Sequence, residues 1–195
     1  MTKVADIASI RNGYAFRGRI ESDKEGDTRV IQASDLTDDT ELDTDKLACV
    51  QLGKKANRYE LSENDIVFMA KGQRQRAYRP IRHTVTGKPI ITAFGLLVIS
   101  AREHMVIPEY LHWALNTRLV QQHIQVLKEG TGITFISDKK FSNVEIPVPP
   151  LETQRKITRL IALHTQRALV RQRLAAMDEK ITQTTAWSLA TEQTQ

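Results

Sequence analysis

Cysteine is almost absent from this chain. Cys49 stands alone, which excludes an internal disulfide and any metal site built from several thiolates. No apolar run is long enough to cross a bilayer, and Met1-Thr2-Lys3-Val4-Ala5-Asp6 opens no signal-peptide pattern. The expectation is a cytoplasmic chain with no membrane association. No internal repeat is evident. Catalytic spacings are missing as well. His83, His104, His112, His123 and His164 are scattered, none in a His-x-x-x-His or His-Glu-x-x-His arrangement, so no zinc site is expected. Gly130-x-Gly132 lacks both the third glycine and the following helix of a nucleotide-binding turn. Ser137 has no partner base at a recognisable spacing and reads as a helix cap. No catalytic residue and no metal ligand is assigned.

Acidic residues are missing from one long window. Between Ile66 and Arg102 there is no Asp or Glu, while Lys71, Arg74, Arg76, Arg79, Arg82, Lys88 and Arg102 all fall there. The whole chain carries a net charge of +5 and a pI near 9.4, which suits an acidic partner, most commonly nucleic acid. The densest part mixes Lys71, Gln73, Arg74, Gln75, Arg76, Tyr78 and Arg79, with Arg82 just beyond. Arg reads guanine edges bidentately, Gln reads adenine, and Lys and Arg neutralise phosphates. These residues are the candidate contacts to double-stranded DNA. Charge clustering by itself is equally compatible with a solvated basic loop or an acidic protein partner.

Short β-rich runs dominate the first hundred residues. Val30–Gln32, Ala48–Leu52, Ile66–Met69, Ile90–Thr92 and Leu96–Ile99 read as strands, separated by turn formers. The acidic stretch from Asp35 to Asp45, with Asp38, Asp39, Glu41 and Asp43, lacks the glycine of a calcium loop and reads as solvated. Pro108 opens a helix whose apolar face uses Tyr110, Leu111, Ala114, Leu115, Leu119, Ile124 and Leu127 and which stops at Gly130. Ser137 is placed to cap a short helix through Phe141. Trp113 and Phe141 read as core.

After Pro147, Pro149 and Pro150 neither Gly nor Pro recurs. Leu160, Leu163, Arg167, Val170, Leu174, Met177 and Ile181 alternate steps of three and four, and the series continues to Thr184 and Ser188. That is a heptad seam, which wants a partner helix. An arm of about forty residues would extend roughly 60 Å. Trp187, an aromatic on a polar tail, marks a candidate docking contact. Arg167 on the seam disfavours a parallel zipper with stacked arginines and suits an antiparallel pair.

Together these segments resemble one half of the DNA-specificity subunit of type I restriction-modification systems. Val4–Phe16 looks like that family's domain start. Leu61–Gly72 resembles its GD-I-L-F-S-R-x-G strand and turn. Gly130–Ser137 is similar to its Gly/Thr loop, and Ile146–Gln154 to its I-P-L-P-P-L-x-E-Q hinge, with Thr153 where Glu is usual and Gln154 in place. The family usually carries two recognition domains and two helical regions, so the resemblance is to half-sized subunits that pair. It implies that the recognition domains contact the two parts of a bipartite site. It also implies that antiparallel helices set their spacing, and that both regions dock methyltransferase subunits, with a restriction subunit in some complexes. It further implies that S-adenosylmethionine, ATP and Mg²⁺ belong to partner subunits and none to this chain.

The reading is therefore an α+β recognition domain over residues 1–146, followed by a coiled-coil dimerisation arm over 147–195. Its expected function is non-catalytic, sequence-specific DNA recognition. Two rivals remain. One is an adapter or decoy that captures restriction-modification subunits through the arm without reading DNA. The other is a small nuclease using Asp138 and Lys140.

Overall fold

The computed structural model describes residues 1–37, 44–72, 75–79, 87–129 and 134–192. In chain order these form β1 (Thr2–Lys3), α1 (Val4–Ile7), β2 (Ala8–Asn12), β3 (Thr28–Ile31), β4 (Ala48–Val50), β5 (Asp65–Met69), β6 (Ala77–Tyr78), β7 (Ile90–Thr92) and β8 (Leu96–Ala101). Then follow α2 (Pro108–Asn116), α3 (Arg118–Val126), α4 (Asp138–Phe141), β9 (Glu145–Ile146) and α5 (Leu151–Glu192). The chain divides into two units, Met1–Gln154 and Arg155–Gln195. The acidic stretch at residues 38–43 and the helix stop expected at Gly130 lie outside the described residues.

The first unit is α+β. A four-stranded antiparallel sheet runs β2-β8-β5-β6, and a three-stranded sheet runs β4-β3-β7, with β3 and β7 parallel. β5 reads Asp-Ile-Val-Phe-Met and is buried at every position, as it must be if both faces of its sheet are covered. Val67 and Met69 join Leu96 and Val98 of β8 and Ile31 and Ile90 of the smaller sheet in one apolar cluster. The alternate residues turn the other way. Phe68 meets Phe141 of α4 with ring centroids 4.4 Å apart. Each fully buried large side chain of this kind contributes roughly 1.5–3 kcal/mol. Buried Asp65 at the head of β5 is paired with Arg11 at 3.2 Å and accepts the Ser100 hydroxyl at 2.6 Å. Arg11 also donates to the Tyr59 and Glu60 carbonyls.

The expected helix from Pro108 is two helices. Thr117 adopts φ −66° and ψ 148° and separates α2 from α3. Its hydroxyl donates back to the Ala114 carbonyl. Asn116 turns its amide away to β6, accepting the Ala77 N–H at 3.0 Å and donating to the Ala77 carbonyl at 2.8 Å. Asn and Thr are weak helix formers with such alternatives available. The break rotates α3, and Leu119, expected on the buried face, is 79% exposed. Ser137 does stand at the N-cap position of α4 but makes no side-chain cap hydrogen bond; the Lys139 N–H goes to Asp138 Oδ1 instead.

The proline hinge leads into α5, a helix of 42 residues and about 63 Å long. Its first turn belongs to the first unit. Gln154 is fully buried. Its Oε1 accepts the Ile107 N–H at 2.9 Å, and its Nε2 donates to the Met105 and Pro149 carbonyls at 3.0 and 2.8 Å. Tyr110 donates its hydroxyl to the Pro147 carbonyl at 2.8 Å, and burial pushes that phenol up from its ordinary value.

Candidate nucleic-acid interface

The registers of the larger sheet bring three chain segments to one end. Asn12 of β2 is opposite Leu97, and Met69 of β5 is opposite Leu96. So the C-terminal ends of β2 and β5 meet the turn that enters β8. That turn is closed by the Leu96 N–H and the Ala93 carbonyl, 3.3 Å apart. Gly95 holds φ 96° there, a backbone region costly for residues with a Cβ. Gly13 allows a second close approach. A Cβ at Gly13 would sit 2.2 Å from the Ala93 carbonyl oxygen, so only glycine lets Tyr14 bond to Thr92 and Phe94 to Tyr14 across this corner.

A fourth segment docks on the end of β5. The Ile136 N–H bonds to the Ala70 carbonyl and the Gly72 N–H to the Thr134 carbonyl, with Lys71 bridged to Phe135. The result is a rim around a cavity of about 350 Å³, lined by Asn12, Lys71, Phe94, Phe135, Ser137 and Asp138 among others. Phe94 is 66% exposed and Phe135 is 41% exposed. Two large aromatic side chains thus stand partly in water beside Lys71.

Of the basic segment, Lys71 lines this cavity. Lys71 and Arg76 are exposed. Arg79 pairs with Glu109 of α2 at 2.7 Å. Tyr78 is half-buried against the central apolar cluster. Gln75, expected to face a partner, is 1% exposed and holds the loop by donating to the Ala70 carbonyl at 3.1 Å. The Gln75 amide therefore serves the backbone at the end of β5 rather than the surface. Gln73, Arg74 and Arg82 lie outside the described residues. His112 of α2, whose Nε2 lies 3.0 Å from the Ala77 carbonyl, is held below its ordinary value chiefly by burial. Arg79 and Arg76 act in the same direction, while the Ala77 carbonyl and Glu109 act against them.

Phe94, Phe135 and Asn12 were not singled out by sequence patterns. Each is a lone residue in its own segment; strand register brings Asn12 near the turn that carries Phe94, and the docking of Thr134–Ile136 adds Phe135. Lys140 is paired with Glu129 at 3.0 Å, Asn12 donates to Asp138 at 3.4 Å, and no cluster of three potential metal ligands occurs among the described residues. On α5 the seam residues Leu160, Leu163, Arg167, Val170, Leu174, Met177 and Ile181 are all exposed in the single chain. No described helix is long and apolar enough to cross a membrane.

A β-rich α+β body followed by a long C-terminal helix defines the structural class. The chain belongs to the family of type I restriction modification DNA specificity domains, whose sequence profile matches residues 1–176. A curated relative, the MjaVIII type I restriction enzyme specificity subunit of Methanocaldococcus jannaschii, is 26% identical over 102 residues, which are 52% of this chain and 22% of that protein. Two solved structures share the fold. The HsdS subunit of Thermoanaerobacter tengcongensis superposes with a TM-score of 0.61 at 17% identity, covering 88% of this chain and 38% of that one. The type I restriction-modification S subunit from M. genitalium gives 0.56 at 14% identity, covering 85% and 38%. The chain therefore spans well under half the length of the proteins it matches.

Proposed function

We propose that this chain is a non-catalytic DNA-recognition component of a type I restriction-modification or methyltransferase complex. The first unit reads one part of a bipartite duplex site through the rim of Lys71, Phe94 and Phe135, together with Arg74, Arg76 and Arg82. Arg79 joins when DNA phosphate competes with Glu109 for its guanidinium. The long helix pairs through its exposed seam with a second copy, and the assembly docks methyltransferase subunits. S-adenosylmethionine, ATP and Mg²⁺ act on those partners. The observation that carries this reading is the family match across residues 1–176, which takes in the first unit and much of the helix. Methylation-site mapping in cells with and without the chain tests it. A defined methylated site that disappears with the chain is the expected result; an unchanged methylation map would overturn the reading.

The exposed seam also favours a second reading, an adapter that captures restriction-modification subunits by its helix without reading DNA. Sequence preference in DNA binding by the pure chain separates the two. The pure chain is expected to be catalytically silent, and cleavage or methyl transfer by it alone would refute the assignment.

A further inference from the structure

The long helix carries a second chemistry besides its apolar seam. From Arg155 to Met177 it contains no Asp or Glu, yet it holds Arg155, Lys156, Arg159, Arg167, Arg171 and Arg173. The carboxylates of Asp178 and Glu179 come only after that window. Arg159, Arg167, Arg171 and Arg173 are exposed and form no ion pair among the described residues. His164, Arg167, Ala168 and Arg171 line one shallow depression, as steps of three and four on a helix require.

In the heptad that places Leu160 and Leu163 at core positions, Arg159 and Arg173 fall at g, and His164 and Arg171 at e. These positions flank the seam. A helix that relied only on pairing with another protein helix would gain from mixed charges there. From Arg155 to Met177, about six turns, this one carries a single sign, and the next carboxylate at a flanking position is Asp178 just beyond. If two copies pair antiparallel with Val170 opposite Leu174 of the second copy, Arg171 faces Arg171 and Arg173 faces Arg173 across the two-fold axis. Arg167 lies one turn away on each arm. Like charges so placed repel unless a polyanion lies against them.

We propose that this cationic stretch of the helix binds the phosphate backbone of duplex DNA, independent of sequence, along the unread segment between the two parts of the site. The inference rests on the DNA-reading proposal for the location of the duplex, but not for the charge chemistry. Phosphate contacts position a protein without specifying bases, so the arm would supply affinity and salt dependence while the first unit supplies discrimination.

The test uses the full chain and two fluorescent duplexes, one with the mapped site and one of random sequence, titrated across salt concentration. Arg171→Gln with Arg173→Gln should weaken both duplexes by the same factor and leave their affinity ratio unchanged. The salt slope should fall by about 0.9 for each phosphate that is no longer neutralised. Arg171→Lys with Arg173→Lys, which keeps the charge, should restore most of the slope. Light scattering should show the same assembly state for all three proteins. A glutamine variant with an unchanged salt slope would overturn the proposal. An unchanged slope together with loss of an acidic protein partner would assign the stretch to protein docking instead. Failure of the DNA-reading proposal looks different: the wild type would then show no preference between the duplexes, while the slope would still drop in the glutamine variant.

Discussion

Gln154 shows how much one side chain can decide. Its buried amide satisfies one N–H and two carbonyls from two separate loops. Gln154→Leu keeps similar bulk but leaves those three backbone groups without partners, at about 1–3 kcal/mol for each that stays dry. Urea denaturation should show a clear loss of stability for the first unit, on the order of 3 kcal/mol if water relieves part of the cost; no change would mean the loops reorganise freely. Phe94 makes the opposite case. Most of its ring is in water, so Phe94→Ala should leave thermal unfolding unchanged. If the ring packs against bases or a thymine methyl, DNA binding should weaken by about 1–3 kcal/mol. Fluorescence anisotropy on the mapped site checks this, and unaltered binding would remove Phe94 from the interface.

At the scale of elements, α2 covers the edge of the short strand β6. Asn116 grips both polar groups of Ala77, and His112 Nε2 lies 3.0 Å from the same carbonyl. The His112 value is depressed in the fold from an ordinary 6.5, so the unfolded chain takes up this proton first as pH falls. Its contribution to stability is complete above about pH 6.5 and is lost as pH drops toward the lowered folded value. His112→Asn should flatten the stability profile in that window, measured by thermal unfolding between pH 7.5 and 5. An unchanged slope would place the acid sensitivity elsewhere. These same elements mark what sequence patterns can and cannot disclose. β5, β7 and β8 were legible because continuous apolar runs of β-branched and bulky residues have few other fates. β2, Ala-Ser-Ile-Arg-Asn, offers a single strong apolar residue, and its place is set by pairing with β8. β6 sits inside the basic segment, and a side chain from α2 fixes its edge. The apolar spacing continues from Leu115 to Leu119 across the break at Thr117, so periodicity could not report the break. The cations of the interface were readable as composition. The aromatic rim was not, because it exists only once β2, β5 and β8 are in register and Thr134–Ile136 has docked beside Lys71.

At the scale of the whole molecule, the proposed pairing rests on the seam of α5. Leu160, Leu163, Val170, Leu174, Met177 and Ile181 are exposed together, and burying each fully would return roughly 1.5–3 kcal/mol. An antiparallel pair that sets Leu163 against Ile181 and Val170 against Leu174 of a second copy also sets Arg167 beside the flexible Met177. In that register Arg159 comes to the face of Trp187, a cation–π arrangement, and His164 comes to Asp178. A parallel pair would instead stack Arg167 on Arg167 in the core and leave Trp187 without a cation. Leu174→Asp with Ile181→Asp should yield folded monomers that lose high-affinity DNA binding, whereas Trp187→Ala should weaken the dimer more modestly, by about 0.5–2 kcal/mol. A symmetric dimer presents the same recognition unit twice, so its target must be an interrupted palindrome. Analytical ultracentrifugation of the wild type at micromolar concentration and mapping of the methylated site provide the two measurements. A wild-type monomer, or a site with two unrelated halves, would replace the homodimer with pairing to a different specificity chain.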